Sequence, residues 1–216
     1  MLKPVENWII QNIKKHDNVA SISIEVDNVM LIQRKEGVQI RVAVISSQIT
    51  GSSLVFDTVD NSSFDFLLNI PKNSYTIGSI FEYLDSKKIS YGGLGDLFRL
   101  LSNERNWPYQ PQEVAFIMRG LRQHDKVANV RRLDDRRYLI IRKNFPDVVI
   151  LALNDYELNT ESIKNGKEVY KDFDAILTSN PNARMTEEAA SITSSMKIPV
   201  FQIRDLLIQL NRAWKK

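Results

Sequence analysis

The chain has 216 residues and a formal net charge of +3, with 43% apolar and 25% charged residues, which are ordinary values for a globular protein. The absence of cysteine excludes disulfides and thiolate metal ligands, and a content of two histidines disfavours a classical zinc site. No stretch approaches 18 uncharged apolar residues, so we expect no membrane partner and a cytoplasmic location.

Residues 1–73 are predicted to form an N-terminal portion that contains one helix and a mainly antiparallel sheet. Residues 5–15 have the spacing of a short amphipathic helix, with Trp8, Ile9 and Ile13 on one face. Apolar residues alternate in the segments that follow, which predicts strands over 20–26, 29–33, 38–45, 54–59 and 64–70. The sequence Pro71-Lys72-Asn73 ends this portion.

Residues 74–143 are predicted to contain three helices followed by a hairpin. Apolar stripes at helical spacing lie within 77–84, 94–101 and 114–121, and they are separated by breaks at Gly92-Gly93 and at Pro108. Two short strands are predicted over 127–132 and 137–142, with Asp134 and Asp135 at the turn. This order resembles the winged helix-turn-helix, a DNA-binding fold, with the third helix as its reader and the hairpin as its wing.

Residues 144–216 alternate strands with helices, which predicts a small parallel α/β portion. The expected fold class is therefore α+β, with a central winged helix between two flanking portions. Those portions are either separate domains or one sheet that the winged helix interrupts. We find no internal repeat in the sequence.

Positive charge is concentrated in one segment. Residues 119–143 contain nine Lys or Arg against three Asp, so the segment carries +6 and the other residues sum to −3. If the third helix packs through its apolar stripe, Gln112, Phe116, Arg119 and Gln123 lie on its outer face. Such side chains read base edges or neutralise phosphates. The predicted nucleic-acid contacts are Arg119, Arg122, Gln123, Arg131, Arg132, Arg136 and Arg137.

Carboxylates in the C-terminal portion suggest a second function. Pro146-Asp147 followed by Asp155-Tyr156-Glu157 resembles the Pro-Asp…(Asp/Glu)-x-Lys layout of the restriction-endonuclease-like nuclease superfamily. That resemblance implies catalytic roles for Asp147, Asp155 and Glu157, with Mg²⁺ or Mn²⁺ held by Asp155 and Glu157. Position 157 is Glu where the family pattern has Lys. A single interrupted sheet would also bring Asp57 or Asp65 near this site.

The leading hypothesis is a DNA-binding protein whose basic winged helix contacts DNA and whose α/β part is an oligomerisation or regulatory module. DNA is the expected partner, and a homo-oligomer is possible. The first alternative is a divalent-metal-dependent nuclease, and the second is a non-catalytic protein-interaction adaptor.

Overall fold

The computed structural model describes residues 4–25, 29–50, 55, 57–58, 63–71, 74–102 and 108–214. The chain divides into two compact units, Met1–Pro111 and Gln112–Lys216. Each unit contains its own five-stranded sheet. The boundary at 111/112 differs from the predicted boundaries at 73/74 and 143/144, because strand pairing draws residues 74–143 into two different sheets.

The first unit forms a mixed sheet. Its elements are α1 (Pro4–Ile13), β1 (Val19–Ile24), β2 (Met30–Arg34), β3 (Ile40–Ile45), β4 (Ile49–Thr50), β5 (Phe66–Asn69), β6 (Tyr75–Thr76), α2 (Gly78–Ser86), β7 (Ser90–Gly92) and α3 (Leu94–Ser102). The sheet order is β1-β2-β3-β5-β7, with two antiparallel pairs followed by two parallel pairs. Within residues 1–73, two of the three pairs of this sheet are antiparallel, as predicted, and the added pair β5–β7 makes the complete sheet mixed. The predicted strand over 54–59 is wrong at residues 55, 57 and 58, which are helical.

Helices cover both faces of this sheet. On one face, α1 and α3 pack through Ile9, Ile13, Leu97, Leu100 and Leu101 against alternate residues of the strands. On the other face, α2 packs through Ile80 and Leu84. Because successive side chains of a strand point to opposite faces of the sheet, the apolar residues of these strands contribute to two hydrophobic cores, one on each face.

The second unit has the same kind of sheet. Its elements are α4 (Gln112–Arg122), β8 (Val127–Arg132), β9 (Arg137–Arg142), β10 (Val148–Leu153), β11 (Glu157–Leu158), α5 (Thr160–Tyr170), β12 (Ala175–Thr178), β13 (Arg184–Met185), α6 (Glu187–Ser195), β14 (Val200–Gln202) and α7 (Ile203–Gln209). The sheet order is β14-β12-β10-β9-β8, in which β8, β9 and β10 pair antiparallel and β10, β12 and β14 pair parallel. Helices α4 and α7 cover one face, and α5 and α6 cover the other.

The two units repeat one topology, which corrects our expectation that the chain contains no internal repeat. Both run helix, three antiparallel strands, a short strand, a parallel strand, a second short strand, helix, parallel strand and helix. Between the first short strand and the parallel strand, the second unit has α5, and the first unit has the helical residues 55, 57 and 58. The strands β1 and β8 begin at Val19 and Val127, 108 positions apart, and both are irregular one residue after this start. From β5 onward the separation is 109 or 110 positions.

The repeat is visible in the amino acids once the structure gives the alignment. Residues 16–50 align with residues 124–158 without a gap, and nine of the 35 positions are identical. The identical pairs are His16/His124, Asp17/Asp125, Val19/Val127, Ala20/Ala128, Asp27/Asp135, Leu31/Leu139, Ile32/Ile140, Arg34/Arg142 and Lys35/Lys143. Hydrogen bonds repeat as well, since Arg34 Nε donates to the Val38 carbonyl and Arg142 Nε to the Pro146 carbonyl, both at 2.7 Å.

The structure corrects the idea of one interrupted sheet. Strands of residues 19–92 and strands of residues 127–202 form two separate five-stranded sheets in the described parts of the chain. The elements predicted for a winged helix are divided in the same way. Helices α2 and α3 belong to the first unit, whereas α4 and the hairpin β8–β9 belong to the second.

Candidate nucleic-acid interface

Helix α4 buries the apolar face and exposes the polar face that the sequence predicts. Val114, Ile117, Met118 and Leu121 are buried in the core of the second unit. The predicted outer residues Gln112, Phe116, Arg119 and Gln123 are all exposed, as is Arg122. The apolar stripe therefore fixes which side chains of this helix meet solvent, as its 3.6-residue period requires.

Two of the predicted arginines lie on the opposite face of the sheet. Val130 on β8 and Tyr138 on β9 are buried in the core that α4 covers. Their neighbours Arg131 and Arg137 point to the other face, because successive strand side chains alternate. The predicted set therefore does not form one surface.

Arg137 is held by an internal carboxylate. Its Nε donates to Asp134 Oδ2 at 2.8 Å, and the side chain of Asp134 is fully buried while that of Arg137 is 18% exposed. Asp134 Oδ1 also accepts the backbone amides of Arg136 and Arg137 at 3.0 and 2.7 Å. This carboxylate closes the β8–β9 turn, so Arg137 has a structural role there.

Arg136 is held by a second carboxylate at the start of α4. Its Nη1 lies 3.2 Å from both oxygens of Glu113, which also accepts hydrogen bonds from Ser179 Oγ and Asn154 Nδ2. Burial alone would lower the pKa of Arg136, but the negative charges of its surroundings, of which that of Glu113 is the strongest, together outweigh burial and raise that pKa above its usual value. Arg136 is consequently a fixed cation inside a polar cluster.

Arg132 is engaged as well. Its guanidinium lies 6.0 Å from the centre of the Tyr138 ring, and Nη2 lies 3.5 Å from the Asp135 carbonyl. Burial raises the pKa of Tyr138 to about 12. The neighbouring Tyr170 donates to Asp135 Oδ2 at 2.9 Å, and burial together with that carboxylate raises the pKa of Tyr170.

Exposed cations meet at one end of the second unit, which we call the basic end. Its members are Arg119, Arg122, Lys126, Lys143 and Arg212. Arg119 and Arg122 lie on the last turns of α4. The amide of Lys143 donates to the Lys126 carbonyl at 2.8 Å, which places these two lysines side by side across β8 and β9. In the described part of the chain, none of the five side chains forms an ion pair.

A buried arginine supports the basic end. Arg142 is 5% exposed and donates from Nε to the Pro146 carbonyl and from Nη1 to the Arg212 carbonyl at 2.7 and 2.8 Å. Its guanidinium also lies near the rings of Phe145 and Trp214. Burial lowers the pKa of Arg142. The segment that carries Arg212 is therefore fastened to the end of β9.

His124 makes a second link at this end. Its Nδ1 accepts the amide of Lys126 at 3.1 Å, and its Nε2 lies 3.4 Å from Asn211 Nδ2. The exposed carboxylates Asp125 and Asp147 also lie at the basic end. Asp147 Oδ1 accepts a hydrogen bond from the backbone amide of Arg142. Five cations against two carboxylates leave this end of the molecule positive.

The three predicted catalytic carboxylates do not converge. Asp147 precedes β10 and Asp155 follows it, and a six-residue strand separates its two ends by about 20 Å. Asp155 accepts a hydrogen bond from Ser162 Oγ at 3.1 Å, and Glu157 lies exposed on β11. In the resemblance, acidic groups on adjacent strands hold the metal, but β9 and β10 carry no acidic residue. Within the described ranges, no three acidic or histidine side chains are grouped as metal ligands would be.

The basic end includes residues that the sequence reasoning left out of its predicted contacts. Lys126 and Lys143 belong to the basic segment, but their pairing depends on an irregularity that the sequence does not reveal. Arg132 lies opposite Tyr138, and a register shift between Val127 and Asn129 brings Lys126 opposite Lys143. No local signal in the sequence relates Arg212 to this segment. Comparison of the chain with protein-family models, curated proteins and solved structures found no match. No helix in the described residues has the length and apolarity that a membrane crossing requires.

Proposed function

We propose that this protein binds nucleic acid through the basic end of its second unit. The observation that carries the proposal is the group of five exposed cations that no described carboxylate pairs with. Phosphate groups along a nucleic acid present regularly spaced negative charge, and Lys and Arg that meet it release condensed counterions. The second unit as a whole has 18 Lys or Arg and 14 Asp or Glu, whereas the first has 11 and 12.

The proposal retains part of the predicted contact set and replaces the rest. Arg119, Arg122 and Gln123 stay, because they are exposed at the end of α4. Arg137 is bonded to a fully buried carboxylate, and separating that pair would cost more than a surface contact returns. Arg136 is bonded to both oxygens of Glu113, so its charge is already compensated within the protein. Lys126, Lys143 and Arg212 take their place.

The experiment is a binding titration at low salt with a fluorescent DNA duplex. The test variant is Arg122→Ala/Lys126→Ala/Lys143→Ala, which removes three cations of the basic end. The matched control is Arg131→Ala/Lys164→Ala/Arg184→Ala, which removes three exposed cations from β8, α5 and β13. We expect the test variant to bind at least about 10-fold more weakly than the control, since each lost phosphate contact removes a favourable counterion term.

Two outcomes would contradict the proposal. One is the absence of a titratable complex between the wild-type chain and the duplex at low salt. The other is an equal loss of affinity in the two triple variants, which would mean that only the net charge matters. Circular dichroism on both variants establishes that the fold is intact before the affinities are compared.

The proposal concerns binding and assigns no catalysis. The homo-oligomer and the regulatory role that the sequence suggested for the α/β parts stay predictions.

A further inference from the structure

The first unit contains a cleft at the position that corresponds to the basic end of the second. It has a volume of about 680 Å³, within the range of about 300–1,000 Å³ that small-ligand pockets occupy. Its lining includes Lys15, His16, Asp17, Lys35, Glu36 and Phe98. By the alignment of the two units, Lys14, Lys15 and Lys35 correspond to Arg122, Gln123 and Lys143.

The backbone around the cleft repeats the backbone of the basic end. The amide of Lys35 donates to the Asn18 carbonyl at 2.9 Å, as the amide of Lys143 donates to Lys126. His16 Nδ1 accepts the Asn18 amide at 3.2 Å, as His124 accepts the Lys126 amide. Lys14, Lys15 and Lys35 are exposed. The first unit therefore offers cations on the same scaffold.

The cleft also contains an aromatic pair that the second unit lacks. The rings of His16 and Phe98 lie 5.7 Å apart at 38°. Because Nδ1 of His16 is an acceptor, its Nε2 carries the proton of the neutral ring and donates to Ser102 Oγ at 2.9 Å. This bond fixes the ring beside Phe98. At the position of Phe98 the second unit has Leu207, which is aliphatic.

We propose that this cleft is a second nucleic-acid contact, specialised for unpaired nucleotides. Surfaces that bind single strands combine cations, which follow the phosphates, with aromatic side chains on which bases stack. Lys15 and Lys35 supply the cations, and the His16–Phe98 pair supplies the aromatic surface. The inference rests on the proposed function, because it assigns to the first unit a ligand of the same chemistry.

Two carboxylates in the lining of the cleft reduce the affinity that we expect for a nucleic-acid strand. Asp17 and Glu36 are exposed and oppose a phosphate, so this contact is weaker than that of the basic end. Their removal gives a gain-of-binding test. The variant Asp17→Asn/Glu36→Gln binds single strands more tightly than the wild type.

The experiment measures fluorescence anisotropy of the full chain with a thymidine oligomer of about 10 nucleotides and with a blunt DNA duplex. Phe98→Leu installs the residue that the second unit has at this position, which preserves apolar packing. We expect it to weaken single-strand binding about 5- to 150-fold, the range that loss of one stacking partner produces. Duplex binding changes less than about two-fold, since a paired base cannot enter the cleft.

A charge-matched pair of variants tests the lysines. Lys15→Gln/Lys35→Gln lowers single-strand affinity, whereas Lys87→Gln/Lys88→Gln, which removes two exposed lysines elsewhere in the first unit, leaves it unchanged. Urea unfolding of each variant confirms that the first unit is folded.

The outcomes separate this inference from the proposed function. If duplex binding depends on Arg122, Lys126 and Lys143 but Phe98→Leu leaves single-strand binding unchanged, the inference is overturned and the proposed function stands. If the wild-type chain binds neither oligomer, the proposed function fails. If Lys15 and Lys35 govern sedimentation with anionic lipid vesicles and have no effect on the thymidine oligomer, the cleft has a different ligand and the inference is overturned.

Discussion

Replacement of Asp134 by Ala is expected to destabilise the second unit strongly. The carboxylate is fully buried and accepts three hydrogen bonds of 2.7 to 3.0 Å, from the amides of Arg136 and Arg137 and from Arg137 Nε. Alanine leaves the two amides without this acceptor and leaves a largely buried guanidinium without its counter-charge.

The magnitude follows from these losses. Removing one partner of a buried ion pair costs about 3–5 kcal/mol, because an uncompensated charge stays behind. Arg137 is 18% exposed and its Nη1 keeps a 3.0 Å hydrogen bond to the Asp172 carbonyl, so solvent and that acceptor compensate in part. We therefore expect a loss near the lower limit, about 3 kcal/mol in the free energy of unfolding.

Urea denaturation of the full chain, followed by circular dichroism, measures this loss. The control is Asp172→Ala, since the side chain of Asp172 is exposed and its carbonyl remains to accept from Arg137. The control should change the free energy of unfolding by less than about 0.5 kcal/mol. A loss below about 1 kcal/mol for Asp134→Ala would refute the reasoning, because Arg137 would then not depend on Asp134.

Three further predictions concern stability. Arg142→Met should cost about 3 kcal/mol in urea unfolding, since two carbonyls lose a charged donor, whereas exposed Arg119→Met should be nearly neutral. The raised pKa of Tyr138, about 12 against 10 in the unfolded chain, means that the folded state keeps a proton that the unfolded state loses. The free energy of unfolding should therefore fall by about 1.4 kcal/mol per pH unit between about pH 10 and 12 because of Tyr138. Tyr138→Phe should abolish this contribution of Tyr138 to the fall. An unchanged slope of stability against pH in that variant would contradict the raised pKa of Tyr138. Gly92→Ala should lower the melting temperature, because an added Cβ would lie 2.6 Å from Asp96 Cβ; an unaltered transition would show that Asp96 moves freely.

Elements with a strong local period could be predicted from the sequence. The stripes within 77–84, 94–101 and 114–121 correspond to α2, α3 and α4, and the predicted strands over 127–132 and 137–142 are β8 and β9 with the same bounds. In each case the apolar spacing of a few residues determines which face is buried. These predictions are confirmed.

Pairing between distant strands could not be predicted in this way. The short strand β7 joins β5, and the hairpin β8–β9 joins β10, so the segment interpreted as one winged helix is divided between two sheets. Nothing within residues 74–143 indicates which strands they will pair with. The three helices and the hairpin occur in the predicted order, with the unpredicted strand β7 between α2 and α3, but order alone does not determine the partner of an edge strand.

The repeat is hard to detect in the sequence because most aligned side chains differ between the two units, although the topology is the same. Glu113, which binds Arg136 in the second unit, aligns with Val5, and Asn154 aligns with Ser46. The identities that remain include the buried Arg34 and Arg142 and the turn histidines His16 and His124, which make corresponding hydrogen bonds. A search at a spacing of 108 positions would have revealed them.

The same divergence explains why the contact residues were only partly predicted. The local density of positive charge identifies the basic segment, but it cannot show which arginines form ion pairs with carboxylates of the same unit. Asp134 lies at the predicted turn, and no local pattern connects Glu113 with Arg136, yet these two acids decide the roles of Arg136 and Arg137.

The salt dependence of duplex binding tests the central claim most directly. For each phosphate contact, the slope of the logarithm of the binding constant against the logarithm of salt concentration changes by about 0.9. We predict that Arg122→Ala/Lys126→Ala/Lys143→Ala makes this slope shallower by roughly 2 to 3, and that Arg131→Ala/Lys164→Ala/Arg184→Ala leaves it at the wild-type value. A wild-type slope in the first variant, or an equally shallow slope in both, would contradict it.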